Sequence, residues 1–241
     1  MLKLHKQLIY QYYRTYAKSP YSRHLGGKET ARMAALRKPC VSPVLTINLK
    51  LPQLYTRQSI FSFLRLIMKK IHLGCGKNLI GSWDNLDSSP AHPSVIIWQA
   101  PKLPYDDISI DFIFSEHFIE HLHYTQGQVQ LQECYRVLKP KGVLRISCPD
   151  LEVLAKDYLS GQLSRWESLG WVPSSPCLMF NEGMRSWGHQ FLWDWATVKT
   201  CLVNFGFQQV YRVDRHESIF PELKNLESRP YCGDLIVEAI K

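Results

Sequence analysis

The sequence predicts an α/β fold in which helices cover both faces of a mostly parallel central sheet. Between Ile71 and Ser147, short apolar segments of strand length alternate with helical or turn segments. This alternation implies right-handed crossover connections, which place successive strands parallel in one sheet. In addition, the first apolar segment runs directly into Gly74-Cys75-Gly76, a turn typical of nucleoside sites at the carboxyl edge of such a sheet.

The first predicted strands are short. Ile71–Leu73 ends at the glycine turn, and a second strand ends at Asp87. Only ten residues separate Gly76 from Asp87, too few for a long crossover helix, so we expect a turn in its place. Val95–Trp98 is a third short apolar run that suits a strand.

The next segments are longer and their types are clearer. Ser109–Ser115 predicts a strand buried on both faces, and Gln126–Leu138 has apolar residues at helical spacing. Lys139-Pro140-Lys141-Gly142 contains the proline and glycine that stop a helix, and Val143–Ser147 is the next strand. A further helix is predicted over residues 151–160.

Gly74, Gly76 and Asp87 predict a nucleoside site. Glycines let the backbone approach a ligand closely, and a carboxylate at the tip of the next strand accepts hydrogen bonds from two ribose hydroxyls. The third glycine of the dinucleotide fingerprint is missing. Without a cradle for pyrophosphate, the expected ligand is a nucleoside with a small charged tail rather than NAD.

Several motifs in a fixed order carry a resemblance to a known family. They are HLGCG, WDNLD, LPYDDISIDFIFSEHFIEHL, ECYRVLKPKGVLRISCPDL, WGHQFLWD and NFGF. Together they resemble class I S-adenosylmethionine (SAM) dependent methyltransferases, above all the small branch with a shortened first loop, over residues 69–241. The resemblance implies a Rossmann-like fold, SAM as the cofactor, and transfer of a methyl group by in-line displacement.

The resemblance also implies which residues contact SAM. Family members of this type often carry an aspartate near the adenine after the third strand, and Gln99 is the best match here. Its neutral amide can still hydrogen-bond the edge of adenine. With the residues at the tip of the fourth strand, the predicted contact set is Gly74, Cys75, Gly76, Asp87, Gln99, Ser115 and Glu116.

Three residues are candidates for a general base that accepts a proton from the methyl acceptor. His117 follows the fourth strand, His189 lies in a Trp-Gly-His segment, and Asp150 follows the fifth strand. Imidazole titrates near neutral pH, which suits this role. Each residue also has a structural interpretation: His189 can belong to a purely architectural turn, and Asp150 can cap the helix over residues 151–160.

An insertion around residues 161–190 is expected to cover the acceptor as a lid. It contains Trp166, Trp171 and Trp187, whose aromatic faces stack on sugar rings, quinones and other planar molecules. The predicted partner is therefore a small-molecule or glycan acceptor. Packing of the lid itself is an equally good explanation of the tryptophans.

Two other classes of protein remain open. His117-Phe118-Ile119-Glu120-His121 fits the H-x-x-E-H pattern of inverted zinc proteases, but it lies inside the longer methyltransferase motif, and we predict no metal site. The stronger rival is a non-catalytic methyltransferase-like protein that binds a partner. The departure at Gln99 favours this rival, and the intact Gly74, Gly76 and Asp87 argue against it.

Composition and charge fit an enzyme of the cytoplasm. The 241 residues are 45% apolar, enough to bury a full core in one α/β domain. Seven cysteines form no C-x-x-C pair, which indicates a reducing compartment rather than a disulfide framework. The net charge is +8, but residues 1–70 carry 14 basic residues and one acid, whereas residues 71–241 carry 15 and 20. The predicted enzyme portion is thus mildly acidic, so nucleic acid is an unlikely partner.

The basic residues 1–67 form a predicted N-terminal extension to a methyltransferase domain over residues 68–241. One interpretation is an amphipathic segment that rests on anionic lipid or covers the active site. A second is an organelle transit peptide. A third is that translation starts at Met68, directly before the first strand, which leaves residues 1–67 without a fold or a role.

Overall fold

A seven-stranded sheet organises the part of the chain that the computed structural model describes, residues 68–89, 91–167, 170–230 and 233–241. The strand order is β3-β2-β1-β4-β5-β7-β6, with β7 antiparallel to both neighbours and the other pairs parallel. This confirms the predicted mostly parallel α/β fold. The strands are β1 Lys70–Leu73, β2 Asp84–Asp87, β3 Val95–Ile97, β4 Ile110–Glu116, β5 Leu138–Pro149, β6 Gln209–Arg212 and β7 Asp234–Ile240.

Five α-helices and three short 3₁₀ turns connect the described strands. The α-helices are α1 Tyr124–Val137, α2 Leu151–Ser160, α3 Ser164–Glu167, α4 Pro176–Arg185 and α5 Trp195–Asn204. The 3₁₀ turns are Ile119–His121, Ser186–Gly188 and Pro221–Leu223. In this described part of the chain, no helix is both long and apolar enough to cross a membrane.

The two faces of the sheet are covered differently. On one face, apolar side chains of α1 and α5 such as Leu131 and Leu202 join the main core with Ile113 and Ile146. On the other face, Phe112 and its neighbours pack against the 3₁₀ turn Pro221–Leu223 and the loops around it. A third apolar cluster joins the 161–190 insertion to the residues on either side of it, where Trp166 and Met179 pack with Leu154 and Leu192.

The expected turn does replace a first crossover helix between Gly76 and Asp87. Asn85 holds this loop: its amide oxygen accepts from the Ile80 backbone N–H at 2.9 Å, and its amide nitrogen donates to the Ile80 and Trp83 carbonyls at 3.0 Å. His72 lies 3.2 Å from the same oxygen and donates through Nδ1. Burial lowers the pKa of His72 to about 4, so this imidazole stays neutral and structural.

The predicted stop after α1 is present, but no linker follows it. The helix begins at Tyr124 and ends at Val137, and Leu138 already pairs with Ile110 as the first residue of β5. Lys141 has a φ of +68°, so the irregular residues at the expected break bend the strand instead of separating it from the helix. The predictions for residues 1–67 lie outside the described residues.

A buried ion cluster fastens the segment before β7 to the centre of the sheet. Arg145, on β5 and fully buried, contacts Glu227 and Glu238 at 2.6 Å each. It also donates to the Glu217 carbonyl at 2.7 Å, and Glu227 accepts the His216 backbone N–H at 3.0 Å. The guanidinium therefore holds residues 216–227 through both side-chain and backbone contacts.

We expect Arg145→Met to be strongly destabilising, because it leaves two buried carboxylates without their cation. Loss of one partner of a buried pair costs about 3–5 kcal/mol. The free energy of unfolding in urea measures this. Lys156→Met is the matched control, since Lys156 pairs with Glu152 at the surface and is 70% exposed; it should leave the unfolding midpoint essentially unchanged. Equal stabilities of the two variants would contradict the structural role of the cluster.

Candidate active site

The glycine turn after β1 has two left-handed residues, each required for a different reason. Gly74 has a φ of +65°, and a Cβ atom there would lie 2.6 Å from the Phe118 side chain. Gly76 has a φ of +52°, and a Cβ atom there would lie 3.4 Å from Nη2 of Arg229. Gly74 thus makes room for packing, whereas Gly76 leaves free space between the turn and a cationic side chain.

Asp87 is held rigidly at the tip of β2, next to this turn. Its Oδ2 accepts the Gly76 backbone N–H at 2.8 Å, and its Oδ1 accepts the Ser89 backbone N–H at 2.9 Å. Each oxygen keeps a further lone pair for a ligand hydroxyl. Cys75, the middle residue of the glycine turn, donates its backbone N–H to the carbonyl of Leu86, the residue before Asp87. Burial and the nearby Asp87 raise the pKa of the Cys75 thiol to about 11, so the thiol stays protonated.

Glu116 and Arg229 form the opposite wall of the nucleoside site. The buried Glu116 carboxylate accepts both the N–H and the hydroxyl of Ser228, and also the Arg229 N–H, at 2.9–3.1 Å. These contacts use most of its acceptor capacity and position the loop, and the predicted contact of Glu116 with the cofactor stays a prediction. Nε of Arg229 is buried and has no hydrogen-bond partner among the described residues. An anionic group of a ligand would satisfy it.

The other two predicted cofactor contacts differ in their surroundings. Gln99 is exposed directly after β3, and the N–H of its neighbour Trp98 donates to the Asp87 carbonyl at 2.9 Å. Ser115 points into the core, where its hydroxyl borders a very small cavity with Gln130 and Cys134 and has no hydrogen-bond partner in the described part of the chain. The structure therefore brings together Gly74, Cys75, Gly76 and Asp87, and turns the Ser115 side chain away from them.

A pocket of about 440 Å³ adjoins the nucleoside site beneath the 161–190 insertion. Arg229 belongs to its lining, so this residue borders both spaces. One wall is a chain of rings: Trp166 to Trp171 and Trp171 to Trp187 are 5.1 Å apart between centroids, and Trp187 is 5.7 Å from His189. We call the pocket-lining His117, His121 and His189 the histidine wall.

His117 is held as a cation. Its Nδ1 lies 3.4 Å from Glu120 Oε1, and its Nε2 lies 3.3 Å from Asp234 Oδ2. Burial lowers the pKa of His117, but the two carboxylates outweigh burial and raise the pKa to about 10. Its backbone is left-handed, with a φ of +50°, and its N–H donates to Ser147. A protonated imidazole cannot accept a proton, so the geometry disfavours His117 as the general base.

His189 has the opposite character. Its Nδ1 lies 2.9 Å from the Gly183 carbonyl and must donate to it, which leaves Nε2 unprotonated in the neutral ring. Burial lowers the pKa of His189, so the neutral form dominates at physiological pH. The preceding residue pair bends sharply, since Trp187 and Gly188 have φ values of +58° and +85°. A strained Trp next to a pocket is typical of a functional turn.

Asp150 is the N-cap of α2, as one of the two sequence interpretations expects. Its Oδ1 accepts the Glu152 N–H at 2.9 Å, and its Oδ2 contacts the Arg212 guanidinium. Burial raises the pKa of Asp150. Asp150 borders the pocket. Because both of its carboxylate oxygens are already engaged, it is poorly placed to accept a proton from a ligand.

The H-x-x-E-H pattern lacks the helix that an inverted zinc protease needs. Only the 3₁₀ turn Ile119–His121 forms here, and His117 lies before it with its ring toward Asp234. The Gln190 and Phe191 N–H groups donate to the Glu120 carbonyl at 2.7 and 3.1 Å. These two bonds place His189 beside His121, with ring centroids 5.2 Å apart. No local motif in the sequence predicts this pairing.

Comparison with known proteins gives one family match. Residues 73–146, under a third of the chain, match the family model described as "Methyltransferase domain". The match spans the glycine turn, Asp87, β4 and most of β5. Over these residues the chain has the sequence pattern of a methyltransferase domain. The resemblance found in the sequence is confirmed, and SAM is the cofactor of this enzyme class.

Solved structures with a similar arrangement share little sequence with the chain. A SAM-dependent methyltransferase from Archaeoglobus fulgidus has 15% identity and a TM-score of 0.47, covering 76% of this chain and 92% of its own. One from Mesorhizobium loti has 14% identity and a TM-score of 0.48, covering 72% and 91%. Phosphoethanolamine N-methyltransferase 2 from Haemonchus contortus has 16% and 0.42, covering 65% and 38%. No curated protein matches.

The residues around the glycine turn fit SAM. SAM would lie beside Gly76, its ribose hydroxyls would donate to Asp87, and its methionine carboxylate would pair with the unsatisfied Nε of Arg229. When bound, SAM supplies a methyl group activated by the neighbouring sulfonium. The protein residues contribute binding and orientation.

We expect Asp87→Ala to weaken SAM binding at least tenfold. The substitution removes charge-assisted hydrogen bonds to the ribose, worth roughly 1.5–3 kcal/mol. Gly76→Val should bind more weakly still, because a β-branched side chain resists a positive φ and fills the gap beside Arg229. Calorimetric titration measures both, with the exposed Asp106→Ala as the control that should match the wild type. Wild-type affinity in Asp87→Ala would refute the assignment.

Proposed function

We propose that this protein transfers the methyl group of SAM to a small-molecule or glycan acceptor bound in the tryptophan-lined pocket. The observation that carries the proposal is the position of Arg229, which borders the gap at Gly76 on one side and lines the pocket on the other. The nucleoside site and the pocket are therefore adjacent. Methyl transfer requires this arrangement, because the acceptor atom and the methyl carbon must approach in line.

The shape and lining of the pocket support a ring-shaped acceptor. A volume of about 440 Å³ suits a monosaccharide or an aromatic ring system rather than a polymer segment. Trp166 is almost fully buried and packs the insertion, whereas Trp187 is 59% exposed and its ring is available to a ligand. The packing interpretation fits Trp166, and we assign the acceptor contact to Trp187.

The histidine wall adjoins the tryptophan rings, with His189 next to Trp187, and we assign the acceptor nucleophile to it. His117 carries a positive charge and orients Glu120, whereas His189 is neutral and turns Nε2 away from its Gly183 partner. Among the three candidate bases, His189 alone combines the neutral form with a ring nitrogen that makes no hydrogen bond to the described residues. A hydroxyl acceptor is best served by such a wall, because its oxygen needs a partner as its proton leaves.

Turnover of labelled SAM with pools of sugars, phenols and quinols tests the proposed function. The expected result is a labelled methylated product in at least one pool, together with S-adenosylhomocysteine. A protein that binds SAM tightly yet yields no product with any pool would favour the non-catalytic alternative.

Once an acceptor is known, we expect Trp187→Ala to raise its KM roughly two- to tenfold while the affinity for SAM stays unchanged. The loss corresponds to one aromatic contact. Trp195→Ala is the matched control, since Trp195 lies outside the pocket against Lys199 and Arg212. Steady-state kinetics at saturating SAM give both values. An unchanged KM in Trp187→Ala would show that the acceptor binds elsewhere.

We also propose that the enzyme works in the cytoplasm, where the five free cysteines among the described residues would stay reduced. A separate proposal is that residues 68–241 bind SAM without residues 1–67. A chain that starts at Met68 should be soluble and should bind SAM as tightly as the full chain. Calorimetry on both proteins measures this. An insoluble shorter chain would instead show that the apolar run before Met68 is part of the fold, and binding of only the full chain to anionic vesicles would support a membrane role for residues 1–67.

A further inference from the structure

Glu120 is a buried carboxylate with fewer partners than such a group normally has. Its side chain is fully buried, and neither oxygen accepts a hydrogen bond from any described residue. The nearest donor is Nδ1 of His117, 3.4 Å from Oε1, which is longer than a hydrogen bond between charged groups. A buried carboxylate is costly unless its oxygens are satisfied, and His117, which is shared with Asp234, approaches only Oε1 of Glu120.

Two imidazoles stand next to this carboxylate. Nε2 of His121 lies 4.0 Å from Glu120 Oε1, and His189 faces His121 across 5.2 Å between ring centroids. One oxygen of Glu120 and one nitrogen of each histidine all lie within 4.8 Å of one another. The backbone bonds from Gln190 and Phe191 to the Glu120 carbonyl fix this juxtaposition.

The histidines are arranged as metal ligands usually are. His189 donates Nδ1–H to the Gly183 carbonyl, which fixes the tautomer and presents Nε2. Ligating histidines almost always make such a second bond to a carbonyl or carboxylate. On the other side, His117 contacts Glu120 and Asp234 and so orients the carboxylate from behind.

We propose that Glu120, His121 and His189 bind one divalent transition-metal ion, Zn²⁺ or a close relative such as Co²⁺. Two imidazoles and one carboxylate are a typical ligand set for zinc sites that keep an open position. Ligand bonds of 2.0–2.2 Å in a tetrahedron separate donor atoms by roughly 3.4 Å. The three groups need to close by about 1 Å, which side-chain rotation provides. His121, with 37% of its side chain exposed, has room to rotate.

The open position of this ion faces the pocket, and its role there rests on the proposed function. A hydroxyl of the acceptor binds the ion through oxygen, and the ion lowers the pKa of that hydroxyl as it does for bound water. The proton passes to solvent water at the exposed side of the pocket. The oxygen then forms a bond to the methyl carbon as the carbon–sulfur bond breaks, and that electron pair stays on sulfur. His189 acts as a ligand in this scheme, so no separate base is needed.

Metal analysis of the full chain tests the site. Protein stripped with a chelator is dialysed against Zn²⁺ or Co²⁺, and bound metal is measured by mass spectrometry and by calorimetric titration. We expect one ion per chain at the site, and at least a tenfold weaker affinity in Glu120→Gln and in His189→Asn. His123→Asn is the matched control, because His123 is an exposed histidine two residues from His121 and outside the cluster. The SAM affinity of each variant, measured in parallel, shows that its fold is intact.

The outcomes separate the site from the proposed function. Absence of metal from the wild type, or wild-type affinity in folded Glu120→Gln, overturns the site. Metal bound as expected, but no methylated product from any acceptor pool, upholds the site and overturns the proposed function. Methyl transfer that continues unchanged after the metal is stripped upholds the proposed function and overturns the catalytic role of the ion.

Discussion

The buried contact of Arg145 with Glu227 and Glu238 is the interaction on which the site depends. It brings a segment from the C-terminal part of the chain against the centre of the sheet. Directly after that segment, Ser228 and Arg229 donate to Glu116 at the tip of β4. The contacts of Arg145 and those of Glu116 together place Arg229 between the glycine turn and the pocket. Without them, the nucleoside site would lack its cationic wall and the pocket would lose one side.

Electrostatic differences divide the nucleoside site and the adjoining pocket into parts with different roles. The Asp87 carboxylate accepts backbone N–H groups and can still accept hydrogen bonds from a ligand. The Glu116 carboxylate, in contrast, accepts most of its hydrogen bonds from the protein. The same contrast separates the histidines: two carboxylates hold His117 as a cation, and burial keeps His189 neutral. Side chains of similar chemistry thus acquire different properties from their neighbours.

Local patterns in the sequence predict the fold and half of the site. Alternating strands and helices, the Gly74–Gly76 turn and Asp87 are visible because strand periodicity and turn chemistry act over a few residues. The N-cap role of Asp150 is visible for the same reason. Arg229 is not, because the partner that positions it, Glu116, lies 113 residues earlier. The inward direction of the Ser115 side chain depends on the register of β4, and the meeting of His189 with Glu120 and His121 depends on backbone bonds across 70 residues.

Hydrogen exchange of backbone amides, measured with and without SAM, tests most directly whether the fastened segment closes the cofactor site. The Ser228 and Arg229 amides should exchange slowly in the free protein, since a buried carboxylate already accepts them. SAM should slow exchange further at Gly74–Gly76, Asp87 and Ser228–Arg229 together. Fast exchange at Ser228 and Arg229 in both states, with protection by SAM confined to the glycine turn, would contradict the account.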